Sequence, residues 1–328
     1  MGNEISMVQN IELATLRRRA FAGVAAATDL IWPPSCPLCN RHQPASQDAA
    51  VDFCVSCSAA LSESEKLTRA ACLRCGVPQA HAWKVIANST SQGGIAMRHP
   101  HRKAELTERT CDTSRGEQPS SFNLETSRGS STLRARLANS GNTKCPQCHT
   151  EKFRFEAVFS LWIYQDRARE AVLAAKYAQH TALGATLGRR LGARVLEFQR
   201  LSPKFDFVTY VPSHFTRQFA RGGNGNQVIA EEVGKTLRVP CRQPLKITRK
   251  ISKQAWLGDR ARNRNVSGAF SMKKSYAWGS LSGAKAKRIL LVDDVMTTGA
   301  TANEVSRVLL ASGAQGVCLA VVARALRS

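Results

Sequence analysis

Acidic residues are scarce in this chain: 24 Asp and Glu stand against 47 Lys and Arg in 328 residues, a formal net charge of +23. With so few counter-charges the sequence favours polyanionic partners, either nucleic acid or phosphorylated small molecules. Part of the excess is simply Arg scattered over solvated faces. Aromatic residues make up only 6% of the chain, and none are grouped around the basic stretches, which argues against an extended base-stacking surface. No apolar run is long enough to span a bilayer. Arg17, Arg18 and Arg19, followed by the apolar residues 20–27, have the outline of a secretory leader. That run is short, Asp29 interrupts it, and a cysteine pair follows at once, so it reads as a short helix over 16–30 in a cytoplasmic protein. The apolar content of 43% and the length suit two domains with ordinary cores.

Cysteine is not scarce, and its distribution is uneven. Eight of the eleven lie in four Cys-x-x-Cys pairs: Cys36 and Cys39, Cys54 and Cys57, Cys72 and Cys75, Cys145 and Cys148. Two thiolates at this spacing grip one ion, and two such pairs complete the tetrahedral site of a structural zinc. Four pairs therefore predict two zinc ions, and thiols kept reduced for metal predict a reducing compartment. Pairing cannot be read from spacing. The sequential arrangement, first with second and third with fourth, is favoured, and a crossed one stays open. His42, His81 and His149 near the pairs read as solvent-exposed, while Cys111, Cys241 and Cys318 stand alone.

Between the third and fourth pairs, residues 81–143 are rich in Ser, Thr, Arg, Asn and Gly, without sustained periodicity. Such a segment cannot bury enough surface to offset its ordering entropy and is expected to be a disordered insertion. The chain thus divides into an N-terminal segment and helix (1–31), a cysteine-rich module (32–152) and an α/β domain (153–328). In the last, strands are expected within 155–164 and over 205–211, 288–292 and 316–322, with a short one starting near Val239. Helices are expected over 167–178, 183–198, 227–237 and 301–312, and residues 246–268 read as a basic, polar loop. Strands alternating with helices predict a parallel sheet with right-handed crossovers.

Residues 288–301 read Arg-Ile-Leu-Leu-Val-Asp-Asp-Val-Met-Thr-Thr-Gly-Ala-Thr. Ile289 to Val292 suit a strand buried on both faces. Asp293 and Asp294 then place two carboxylates where that strand ends. Thr297, Thr298, Gly299, Ala300 and Thr301 form a tight turn whose backbone N–H groups lead into a helix start, a ready anion site. The whole run resembles the 5-phosphoribosyl 1-pyrophosphate signature of type I phosphoribosyltransferases. That resemblance implies a 5′-phosphate on Val295, Met296, Thr297, Thr298, Gly299, Ala300 and Thr301, and ribose hydroxyls on Asp293 and Asp294 as catalytic residues. It also implies pyrophosphate with its Mg²⁺ near 211–214, with Arg249, Lys250, Lys253 and Arg262 as a basic loop over the leaving group.

A cysteine module joined to such a domain resembles the competence-related ComF family, over about 30–324 apart from the insertion. Further positions carry this likeness: Cys72 to Pro78, Lys176-Tyr177, Pro212 to His214, and Gln254, Leu257, Arg262, Asn265 and Gly268 to Phe270. The resemblance implies a double zinc ribbon, a phosphoribosyltransferase fold and a role in DNA uptake. Its partners would be a phosphoribosyl ligand and, in a non-catalytic alternative, single-stranded DNA or other competence proteins. One segment departs from the family. Arg221-Gly-Gly-Asn-Gly-Asn-Gln227 lacks the aromatic found there and is longer.

Overall fold

The computed structural model describes residues 35–43, 52–79, 145, 148, 151–199, 204–249, 265–276 and 287–326. The expected helix at 16–30 and the whole 81–143 insertion therefore lie outside the described residues, as do Lys250, Lys253, Gln254, Leu257 and Arg262.

Four parallel strands form the central sheet: β1 (Val158–Ile163), β2 (Phe207–Tyr210), β5 (Arg288–Met296) and β6 (Gly316–Arg324), in the order β1-β6-β5-β2. All residues of β1 and β6 are buried, as expected of strands covered on both faces. Side chains alternate between two cores because successive residues of a strand point to opposite faces. Leu290 and Val292 of β5, with Cys318, Ala320 and Val322 of β6, enter one core. Ile289 and Leu291, with Val317, Leu319 and Val321, enter the other. Cys318 is thereby an ordinary core thiol, its pKa pushed up to about 12 chiefly by burial.

The first core is closed by three helices, α1 (Val55–Arg69), α3 (Thr181–Gln199) and α5 (Gly225–Leu237), with the shorter α2 (Asp166–Ala174) at its edge. Leu183, Leu187, Leu191 and Val195 recur every fourth residue along α3 and are fully buried. One position further on, Gly184, Gly188 and Gly192 form a bare stripe against α5. A Cβ on Gly188 would lie 2.5 Å from Glu232 Cβ and 2.6 Å from the Ile229 carbonyl oxygen, so the helices touch almost backbone to backbone. The second core holds α6 (Ala300–Ala311) and a two-stranded antiparallel ribbon, β3 (Leu245–Ile247) with β4 (Phe270–Met272). That ribbon ties together the ends of the expected basic loop. The strand expected near Val239 is only a single parallel bridge between Cys241 and Val208.

The cysteine module covers the free edge of β1. Val158 N–H donates to Leu73 O at 2.7 Å. Ile163 N–H donates to Ser64 Oγ at 2.7 Å, and Thr68 Oγ donates to Leu161 O at 2.6 Å. An open edge strand invites pairing with other chains; here α1 and the third cysteine pair occupy it. The polar inward face of α1 is what this role requires.

Gly188→Ala is expected to lower stability despite alanine's helix propensity advantage of about 1 kcal/mol. Overpacking against immobile backbone costs about 1–3 kcal/mol, so urea denaturation should show a net loss on the order of 1 kcal/mol. An unchanged or raised midpoint would mean that the helices can part there without cost.

Candidate functional site

Both cysteine groups assemble, and in the sequential pairing. Cys36, Cys39, Cys54 and Cys57 form one group and Cys72, Cys75, Cys145 and Cys148 the other, with all sulfurs of a group within 4.8 Å of one another. The two loop knuckles are built alike. Cys36 N–H donates to Arg41 O and Asn40 N–H to Cys36 O, each at 2.8 Å, and Cys72 N–H to Val77 O and Gly76 N–H to Cys72 O repeat the pattern at 2.9 and 2.7 Å. The residue at the fourth place has positive φ in both, 57° at Asn40 and 72° at Gly76, which glycine and asparagine tolerate best. Cys54 instead caps α1, its sulfur accepting from Cys57 N–H.

Closest sulfurs are 3.7 Å apart between Cys39 and Cys54, 3.9 Å between Cys72 and Cys148, and 3.8 Å between Cys75 and Cys145. A disulfide needs about 2.05 Å. A tetrahedral zinc with Zn–S bonds of about 2.3 Å has edges of about 3.8 Å, so the spacing fits zinc. Thiol contacts from Cys148 and Cys75 hold Cys72 well below the ordinary thiol range, while Cys148 is pushed up to about 12, first by its contact with Cys72. Four thiols this close cannot all ionise without a cation between them. Two four-cysteine groups, the second fully buried and the first with Cys39 and Cys54 half-buried, support two structural zinc ions. Cys241, by contrast, is raised to about 11, mainly by burial, and joins no group.

The second cluster of chemistry lies at the C-terminal edge of the sheet. The expectation that β5 ends before Asp293 needs correction, because the strand continues to Met296. The cause is β6, which pairs with β5 as far as Met296↔Arg324. On the other side β2 stops at Tyr210↔Val292, so Asp293 to Met296 have one edge turned to a cleft. In open parallel sheets such crevices beyond the strand ends are where ligands bind. Gly299 then takes φ 80° as the left-handed N-cap of α6. A Cβ on it would lie 2.8 Å from Met296 Cε and 3.2 Å from the Phe153 ring, so glycine is required there. Ala300 N–H reaches Thr298 Oγ at 3.3 Å.

Each carboxylate has a partner that residue-by-residue reading gives no role. Lys176 Nζ stands 2.7 Å from Asp294 Oδ2, with both side chains about a quarter exposed. Asn226 Nδ2 donates to Asp293 Oδ1 at 2.9 Å. Asn226 belongs to the segment 221–227 that departs from the family pattern, yet its side chain reaches the site, and Gln227 accepts from the Tyr210 hydroxyl at 3.2 Å. Gly225 makes this possible: a Cβ there would sit 2.2 Å from the Ala175 carbonyl oxygen. Asp293 is raised to about 8, first by burial and then by the charge of Asp294, against the lowering effect of Asp294 N–H, Asn226 and Lys176. Arg249 of the expected basic loop donates to Ser267 O at 2.7 Å.

Residues 27–90 match the double zinc ribbon domain and residues 201–328 the phosphoribosyl transferase domain. The DNA utilization protein YhgH of Escherichia coli O6:H1 (strain CFT073) is 25% identical over 211 residues, which is 58% of this chain and 88% of the relative. Competence protein F of Haemophilus influenzae is 28% identical over 179 residues, covering 53% and 66%.

The chain resembles the ComF family.

Its fold is the phosphoribosyltransferase fold preceded by a zinc ribbon. Among solved structures, the glutamine phosphoribosylpyrophosphate amidotransferase from B. subtilis overlays 43% of this chain on 26% of its own, with 20% identity and a TM-score of 0.28. The ribbon match ends at residue 90, and the fourth cysteine pair, beyond the insertion, joins the ribbon through its grouping with Cys72 and Cys75. Among the described residues no helix is long and apolar enough to cross a membrane.

The raised pKa of Asp293 has a stability consequence. The folded form holds the proton more tightly than the unfolded chain, whose ordinary value is 3.8. Stability from this group is complete below that pH and is lost as pH rises through about 8. Asp293→Asn lacks the loss, so urea denaturation should show the variant gaining on wild type between pH 5 and pH 8.5. An equal difference at both pH values would contradict the assignment.

Proposed function

We propose that this protein binds 5-phosphoribosyl 1-pyrophosphate, or another ligand carrying ribose 5-phosphate, and serves DNA uptake or use in the cytoplasm. The observation that carries the reading is the one-sided end of β5, where two partnered carboxylates lead directly into a glycine turn at the start of α6. In this reading Val295 to Thr301 cradle the 5′-phosphate with backbone N–H groups and threonine hydroxyls. Asp293 and Asp294 accept from the ribose hydroxyls. Lys176 orients Asp294 through their ion pair, while Asn226 fixes the rotamer of Asp293.

Transfer would break the bond between ribose C1 and pyrophosphate while the acceptor bonds to C1. The ring then gains oxocarbenium character, and the Asp294 carboxylate at this edge opposes that positive charge. Mg²⁺ is usually held by one or two carboxylates, substrate phosphates and water rather than by a protein cage. The two carboxylates at this edge, with the backbone of 211–214 facing the leaving group, fit that pattern. When bound with pyrophosphate, the ion would supply charge neutralisation. Arg249, Lys250, Lys253 and Arg262 would add positive charge over the same oxygens.

Calorimetry with Mg²⁺ and 5-phosphoribosyl 1-pyrophosphate tests the reading. Wild type is expected to bind, and Asp294→Ala to bind about 10-fold or more weakly, since a hydrogen bond to a charged group is worth about 1.5–3 kcal/mol. No wild-type binding would remove it.

A second reading, a non-catalytic DNA-binding protein, is favoured by the +23 charge and by Phe219, 90% exposed on helix α4 (Phe215–Arg221) two residues before Arg221. Relatives named for competence and DNA utilization support either version. Single-stranded DNA titrated at several salt concentrations should bind with a log–log slope set by the number of phosphates neutralised. Phe219→Ala should weaken binding by about 1–3 kcal/mol if a base stacks there. Undetectable binding at low salt would exclude the second reading.

A further inference from the structure

Arg324, the last residue of β6, is 4% exposed and lies between the second cysteine group and the turn after β5. Its Nε donates to Cys75 O at 2.7 Å. Its Nη1 donates to Met296 O at 3.1 Å, to Thr297 O at 2.6 Å and to Ala325 O. One guanidinium thus joins a cysteine-knuckle carbonyl to two carbonyls of the turn. Gly76 of the same knuckle packs on the arginine stem, where a Cβ would lie 3.3 Å from Arg324 Cδ. Phe153 makes a second bridge, since it packs against the second cysteine group and also lies beside Gly299. Arg74, inside the knuckle, donates to the carbonyls of Phe153 and Phe155 at 2.6 Å each.

Peptide geometry gives these bonds a direction. In a planar trans peptide, C=O and the following N–H point opposite ways, and the described chain has no cis bond. Holding Met296 O and Thr297 O against Arg324 therefore aims the N–H groups of Thr297 and Thr298 away from the guanidinium, toward the open side of the turn. The buried positive charge behind the turn also raises the potential where an anion would sit. The first cysteine group has no such link among the described residues. It packs in the other core, with Trp162 and α3.

We propose that Arg324 is a positioning residue that makes the anion-binding turn depend on zinc in the second cysteine group. With zinc bound, Cys72 to Val77 hold their shape, Cys75 O holds Arg324, and Arg324 holds the amides of Thr297 and Thr298 outward. Without it the knuckle relaxes and the amides lose their aim. Coupling of this kind is reciprocal, so a phosphate ligand in the turn must in return slow loss of the second zinc. The inference rests on the ribose-phosphate reading only for the identity of the ligand.

The test uses the full chain with both zinc ions, the variant Arg324→Lys, and wild type treated with a chelator until one zinc remains. Amide hydrogen exchange over 296–301, without ligand, reads the turn directly. Ribose 5-phosphate is then titrated by calorimetry. Expected are two zinc ions in wild type and in Arg324→Lys, faster exchange at Thr297 and Thr298 in the variant and the one-zinc protein, and affinity lower by on the order of ten-fold in both. Saturating ribose 5-phosphate should slow release of one zinc and leave the other unchanged. Unaltered exchange at Thr297 and Thr298 in the one-zinc protein, shown to lack the second zinc, would overturn the proposal; this arm also decides it if Arg324→Lys does not fold. If wild type binds no ribose 5-phosphate, the ligand assignment fails, and the exchange result still decides the coupling.

Discussion

Strand β5 is hydrogen-bonded on both edges as far as Val292 and on one edge only from Asp293 to Met296. The rest of the site depends on that mismatch in strand length. If β2 ran on beside β5, the carboxylates would face a neighbouring strand instead of a cleft. If β6 ended with β2, nothing would hold Val295 and Met296 extended, and the following turn would have no fixed origin. Because β6 continues to Arg324, the turn is anchored from below by a strand and by that strand's final side chain. The sheet therefore supplies both the opening and the rigid floor that a small anionic ligand needs.

The same geometry explains the balance of charge. Burial penalises the charge of Asp293, and repulsion from Asp294 on the next strand residue adds to it, which together push its pKa up to about 8. Lys176, just after α2, and Asn226, in the first turn of α5, offset part of that cost. A residue kept at such cost in a cleft is a candidate for function rather than for stability. The buried pair Arg288 and Glu156, 2.6 Å apart at the start of β5, has the opposite character. It closes the far end of the sheet with one charge of each sign.

Strands β5 and β6 and helix α6 were legible in the sequence because unbroken apolar runs and a turn of defined chemistry specify buried parallel strands and a helix start. The eight zinc ligands were legible for the same reason, since their spacing has one good chemical use. Helix α1 was not. Its inward positions include Ser64 and Thr68, which hydrogen-bond to the edge of β1, so its hydrophobic period is broken where its packing matters most. Lys176, Asn226 and Arg324 were hidden for another reason. A long polar side chain acts across space, and nothing in the local sequence gives its direction. In a chain with 47 Lys and Arg, Arg324 looks like one more surface charge until its four carbonyl partners are seen.

The insertion raises a question of magnitude. Fourteen residues separate Cys39 from Cys54, and 69 separate Cys75 from Cys145. Each doubling of a flexible loop costs about 0.6 kcal/mol in closure entropy, so a little over two doublings cost about 1.4 kcal/mol. Structural zinc binding in small modules is worth about 10–16 kcal/mol at neutral pH. The second zinc site therefore survives the insertion thermodynamically, but at equal intrinsic strength it is the weaker of the two. It is also the one whose knuckle holds Arg324 and covers the edge of β1. The insertion thus falls at the zinc site that Arg324 links to the turn, where a modest loss of affinity bears on the turn as well as on the ribbon.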